Sequence, residues 1–334
     1  MNSPLPSFLA RQAKLLALLC LSVMLFAVPR TALARQANAK HLAADTKWFL
    51  HLDFETAKKT VVFAEVLDAV KAQYPLEDTL AQLKAGIGVN PLTDVTGVTV
   101  YNTSFEKDVA AVIIYAKVDQ ELLQLAVSNN PDYKQVAYGK HTLHTWTDNN
   151  DGKTKVGCFY GDGMILLADK AETLKAAIDV LDGTKTAGSA LVKEPAKGAF
   201  LYGAVDLNGA AHVADKNLSQ LMANATGITT CAAELEGKVI VTVNVSTKTA
   251  ELAGQLKKMI DGVKAFGELA TRADHPTISD LLAKAQVAVD GTSVIGTFEH
   301  DAKTLLATLQ KIDEENKAAA RKAPATPATP AKGL

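Results

Sequence analysis

The chain predicts an α+β protein of two tandem, structurally similar lobes, each a mostly antiparallel sheet with helices packed on one face. Three observations carry that expectation. Thr96-Gly97-Val98-Thr99 returns 130 positions later as Thr226-Gly227-Ile228-Thr229, the mark of a copied unit. Apolar runs of strand length break at Gly139-Lys140, Gly161-Asp162-Gly163 and Asp290-Gly291, as antiparallel hairpins do. Longer stretches set Leu and Ile at helical spacing, as Leu174, Ile178 and Leu181 show.

The elements follow in order. Leu52-Asp53-Phe54 and Val205-Asp206-Leu207 open the two copies alike: an apolar strand, an Asp, then a helix start. Their offset is 153, so the first copy carries 23 extra residues. These fall in two helical stretches, 57–74 and 76–85, separated by Pro75. Proline disfavours helix in the residue before it and lacks an amide donor. Residues 86–95 then read as a loop. Val109 to Val118 is almost wholly apolar, as expected of a strand covered on both faces. Its counterpart, Val239 to Ser246, alternates: Val239, Val241, Val243 and Val245 on one side, Thr242, Asn244 and Ser246 on the other. The first copy's extra segment is the expected source of its second cover.

Asp119 to Ser128 reads as a short helix stopped by Asn129-Asn130-Pro131. Its partner, Ala250 to Arg272, sets Leu252, Leu256, Met259, Val263 and Phe266 on one side, suited to roofing a cavity. Hairpins follow at 136–146, 155–169 and 286–298. The helix Ala171 to Leu181 has Asp169 as its expected cap and Asp182-Gly183 as its stop. The last helix has Asp301 as cap and Leu305, Leu309 and Ile312 as stripe. The lobes, residues 45–186 and 196–315, meet at a Gly/Pro/Lys-bearing connector over 187–197.

The ends are not part of the lobes. Arg11 and Lys14, the apolar run Leu15 to Val28 and Ala32-Leu33-Ala34 make residues 1–34 a signal peptide cleaved after Ala34. The run of 14 residues is short of the roughly 20 that a bilayer-spanning helix needs. The expectation is therefore an exported protein, periplasmic or extracellular, with no membrane span in the mature chain. From Lys317 the sequence KAAARKAPATPATPAKGL predicts a disordered tail, 317–334. With 35 basic and 36 acidic residues there is no basic face for nucleic acid. Cys158 and Cys231 fall at non-equivalent positions and read as small core residues rather than a disulfide.

No motif declares chemistry. Gly152-Lys153-Thr154 lacks the earlier glycine of a phosphate loop. Asp148, Asn150 and Asp151 miss calcium-loop spacing, since Gly152 is fifth and Phe159 twelfth. His141 and His144, three apart on a strand, face opposite ways and cannot share a metal. Neither a metal nor a cofactor is expected. Asp53 and Asp206 occupy matched positions, either as paired acids across a cleft or as helix caps, and capping is the stronger reading. Trp48, Phe49, Tyr133, Tyr138, Trp146, Phe159 and Tyr160 concentrate aromatic mass in the first lobe. Trp48 and Trp146 join the two Asp residues as candidate ligand contacts, against the alternative of cross-strand packing.

Gly88-Val89-Asn90-Pro91-Leu92-Thr93-Asp94-Val95, Tyr138-Gly139-Lys140-His141-Thr142 and Cys158-Phe159-Tyr160 with Ala171-Glu172-Thr173-Leu174-Lys175 resemble uncharacterised exported proteins of planctomycete-type bacteria. The resemblance covers most of 45–315 and implies a secreted protein of unknown function, with no catalytic residues to carry over. The sequence thus points first to a non-catalytic extracytoplasmic binding or scaffolding protein of the cell envelope, with an envelope polymer or protein as partner. A carrier or chaperone for an apolar ligand and a hydrolase with an unfamiliar site are the alternatives.

Overall fold

A computed structural model describes residues 37–106, 109–148, 151–208 and 224–322. The expected signal peptide and the last dozen residues lie outside them. Among the described residues twelve strands form one sheet, in the spatial order β11-β12-β10-β9-β8-β1-β2-β3-β7-β6-β5-β4, and every pairing is antiparallel. The strands are β1 Trp48–Asp53, β2 Val95–Asn102, β3 Ala111–Ala116, β4 Lys134–Tyr138, β5 His141–Thr147 and β6 Thr154–Tyr160. They continue with β7 Met164–Ala168, β8 Ala199–Asp206, β9 Ala225–Leu235, β10 Lys238–Thr247, β11 Gln286–Asp290 and β12 Ser293–Asp301. The α+β class and the antiparallel pairing are those the sequence predicts, but the two sheets expected, one to a lobe, are a single continuous sheet.

The two halves meet edge to edge rather than through the 187–197 connector. β1 pairs with β8 from Trp48↔Val205 to Leu52↔Leu201. Outward from that seam, β1-β2-β3-β7-β6 and β8-β9-β10-β12-β11 run in corresponding order, and β5 and β4 extend the first half. Gly203 sits in the seam because a Cβ there would lie 2.5 Å from the Phe49 carbonyl oxygen.

Helices α1 Phe54–Ala57, α2 Val61–Gln73, α3 Leu76–Ile87, α4 Pro91–Asp94 and α5 Gln120–Ser128 belong to the first half. Pro75 does separate α2 from α3, and the expected loop at 86–95 holds the short α4. α6 is Ala171–Leu181, and α7 Ala250–Thr271, α8 Pro276–Lys284 and α9 Ala302–Lys322 follow in the second half. One sheet face carries α1 to α5 and α7 to α9. The other face, in the first half, carries α6 and the N-terminal turn Ala39–His41: Leu174 and Ile178 pack with Ile113, Leu166, Val156 and Leu42. Helices therefore flank both faces of the first half, because β3 is apolar on both sides.

Three local details depart from the sequence reading. Asp169 does not cap α6: Lys170 holds the cap position without a side-chain bond, and Asp169 instead pairs with Lys155 at 2.7 Å. α7 buries Ala253 and Leu256, but Met259, Val263 and Phe266 face outward. The helix continues beyond the strands and turns small residues toward α8: Gly267 lies against Leu282, and Ser279 donates to the Glu268 carbonyl. Finally, α9 runs to Lys322, past the tail boundary placed at Lys317. Ala-Ala-Ala-Arg-Lys is a run of strong helix formers, so the helix carries on through Lys322.

The halves brace each other. Glu234 of β9 accepts from the Val61 and Val62 amides at 2.8 and 3.0 Å, holding the N-terminus of α2. That end of a helix carries unpaired amides and a positive dipole, so a carboxylate is well placed there. Val61 and Val62 also pack with Val239, Ala302 and Leu305.

Candidate functional site

An apolar pocket of about 380 Å³ lies in the first half. Its floor is the face of the sheet opposite α6: Ile114 and Ala116 of β3, Ile165 and Leu167 of β7, Phe159 of β6 and Trp146 of β5. Its roof is Leu83 and Ile87 of α3, Pro91 of α4, and Leu123 and Val127 of α5. Leu, Ile and Val at i and i+4 on two helices present apolar stripes to the same space. No Lys, Arg, Asp or Glu lines it.

The roof is fastened at one joint. Gly88 ends α3 with φ +70°, a left-handed turn that glycine adopts without steric cost. A Cβ on Gly88 would also lie 2.8 Å from the Asp119 Cβ at the start of α5. Lys84 then reaches back, donating to the Gly88 carbonyl at 3.1 Å and to Asp94 Oδ2 at 2.8 Å. Burial alone would raise the Asp94 pKa; the Asn90 amide, Thr93 and Lys84 together bring it below the usual carboxylate value.

His144 is the polar group set deepest in the wall, at 6% exposure. Its ring stacks on Tyr133 at 6.1 Å and meets Phe159 edge-on at 5.4 Å. Nδ1 lies 2.8 Å from the Tyr133 hydroxyl. Burial holds its pKa below the usual histidine value, so the ring is neutral near pH 7.

The sequence-predicted residues do not converge. Asp53 is fully buried and caps α1, taking the Thr56 amide at 3.0 Å and its hydroxyl at 2.9 Å. Asp206 is tied to Lys47 at 2.7 Å and to the Asn208 amide at 2.9 Å. β1 and β8 are antiparallel, so the two carboxylates stand at opposite ends of the pair, about 20 Å apart at strand rise. That separation rules out an acid pair. Trp48 is half-buried in β1; Trp146 lies in the pocket. Phe49 meets Tyr202 edge-on in the core of the α6 side.

His141 and His144 do face opposite ways. His141 lies on the α6 side, stacked on Tyr160 at 5.0 Å and 2.9 Å from Asp182 Oδ2. The Asp151 turn binds its own backbone, with the Lys153 amide donating to Oδ1, and Asn150 lies outside the described residues. Among the described residues no three His, Cys, Asp or Glu side chains are placed to hold a metal ion. Cys158 and Cys231 are free, and burial pushes the Cys158 thiol up to about 11. Among the described residues no helix is long and apolar enough to cross a membrane.

Sequence reasoning placed a roofed cavity under the long second-half helix. The structure places it under α3 and α5 instead. The usable signal was β3, apolar on both faces, together with the helical stretch expected at 76–85, which is α3.

No family model matches the chain, and no curated protein matches it. Solved structures of TP0453 in crystal forms III, I and IV are similar at 7–8% identity and a TM-score of 0.44. The likeness covers 82–83% of this chain and 96–97% of theirs. At that level it says nothing about chemistry, and the site is read from its own residues.

Proposed function

We propose that this is an exported binding protein that takes a small apolar ligand into the pocket between α3, α5 and the sheet. The observation that carries this reading is an apolar space of about 380 Å³ without a charged residue in its lining. Small-molecule sites occupy roughly 300–1,000 Å³ and are mostly apolar with few polar groups. Filling such a space with hydrocarbon removes apolar surface from water, at roughly 25 cal/mol per Å². The leader-like residues 1–34 support export. The corresponding strand order about the β1/β8 seam supports descent of the halves from one copied unit.

The test is titration with N-phenyl-1-naphthylamine, an uncharged dye that fluoresces in apolar surroundings. Saturable one-to-one binding is expected for the mature chain, with loss of at least tenfold in affinity for Leu167→Trp, which fills the floor. Binding that does not saturate, or that Leu167→Trp leaves untouched while circular dichroism reports a native fold, would refute the pocket.

A further inference from the structure

We propose that His144 selects the ligand: its Nε2–H donates a hydrogen bond to a neutral carbonyl on an otherwise apolar chain, such as a fatty-acid ester. The inference rests on the pocket reading and names the ligand class for that site.

Gln135 Nε2 donates to the Tyr133 hydroxyl oxygen at 2.8 Å. The Tyr133 hydroxyl has one proton of its own, and its other partner is His144 Nδ1 at 2.8 Å. With the phenol as donor, Nδ1 accepts. A neutral imidazole carries one N–H, which this bond assigns to Nε2. Nε2 makes no hydrogen bond with any described residue, although the side chain is more than nine-tenths buried. His144 lines the pocket, so a ligand held there can meet that donor. Tyr133 and Phe159 hold the ring from two sides, so the donor direction is fixed before any ligand arrives.

The same surroundings exclude a charged head group. No Lys or Arg lines the pocket, and burial keeps His144 neutral. An ionised carboxylate drawn inside would lose its hydration with no cation to offset it. A hydrocarbon fits the walls but leaves Nε2 unmet. A neutral ester, ketone or amide carbonyl accepts the proton and brings no charge.

Displacement of N-phenyl-1-naphthylamine by undecane, methyl decanoate and sodium decanoate at pH 8 tests this. The ester should compete better than the hydrocarbon by about three- to tenfold, the net worth of one hydrogen bond, and better than the ionised acid. His144→Phe should abolish the ester's advantage while the dye still binds. Tyr133→Phe, at a half-exposed position, frees the tautomer and should reduce the advantage; it decides the matter if His144→Phe does not fold. Trp146→Phe should preserve the advantage. An ester preference that survives both His144→Phe and Tyr133→Phe overturns the assignment, as does one lost only in Trp146→Phe. Dye binding with no ester preference in the parent chain sinks this inference and leaves the pocket standing. No dye binding at all removes both.

Discussion

Asp182, just past the end of α6, shows how a single side chain ties layers together. It accepts from the Tyr160 hydroxyl at 2.8 Å and from His141 Nε2 at 2.9 Å, and Lys140 Nζ approaches to 3.1 Å. Burial would raise its pKa, but those three donors outweigh it and bring the value down to about 2. An unperturbed Asp titrates near 3.9. The folded value is the lower one, so the contribution is fully present above about pH 4 and is lost as pH falls toward 2. Asp182→Asn should therefore cost about 1 kcal/mol near neutral pH, and the deficit should shrink on acidification. Thermal melts at pH 7 and pH 2.5 measure both; an equal deficit at the two values would deny the charge any role. The sequence placed Asp182 correctly as a helix stop. It could not show the cross-layer donors, because Tyr160, His141 and Lys140 reach it only once the hairpins fold over α6.

At the scale of elements, local chemistry was legible wherever it was self-contained. The turns at Gly139, Gly161 and Gly291 have positive φ, as the hairpins required. Asp119 and Asp301 cap their helices through the Leu122 and Thr304 amides. Asp169 failed as a cap because Lys155, from a neighbouring strand, competes for the same carboxylate. The α7 stripe has the right period, yet Phe266 is 72% exposed: periodicity gives a face but not what lies opposite it. The α3–α5 joint makes a prediction. Gly88→Ala must hold a left-handed turn with a Cβ and push against Asp119. Strain of about 1–2 kcal/mol for the backbone plus crowding of about 1–3 kcal/mol should lower stability by at least 2 kcal/mol in urea unfolding. A loss under 0.5 kcal/mol would mean that the joint relaxes freely.

At the scale of the whole molecule, the β1/β8 seam and the Glu234 brace make the two halves one cooperative body. Both tryptophans, Trp48 and Trp146, lie in the first half, whereas far-ultraviolet dichroism reports on both. The two signals should give one coincident denaturant transition. Gly203→Ala drives a Cβ into the Phe49 carbonyl and should lower both midpoints together, by about 1–3 kcal/mol. Fluorescence and dichroism that separate in the parent chain would show the halves unfolding independently.

The α+β class, the antiparallel hairpins, most of the helices and the echo between the halves are written in the sequence. Those follow from side-chain period, turn residues and caps, which act over a few positions. The tertiary structure alone decided that the sheet is continuous, that α7 turns its apolar stripe outward, and that α3 and α5 enclose a space beside His144. Such features depend on which surfaces meet across tens of residues or more, and periodicity along the chain carries no record of that.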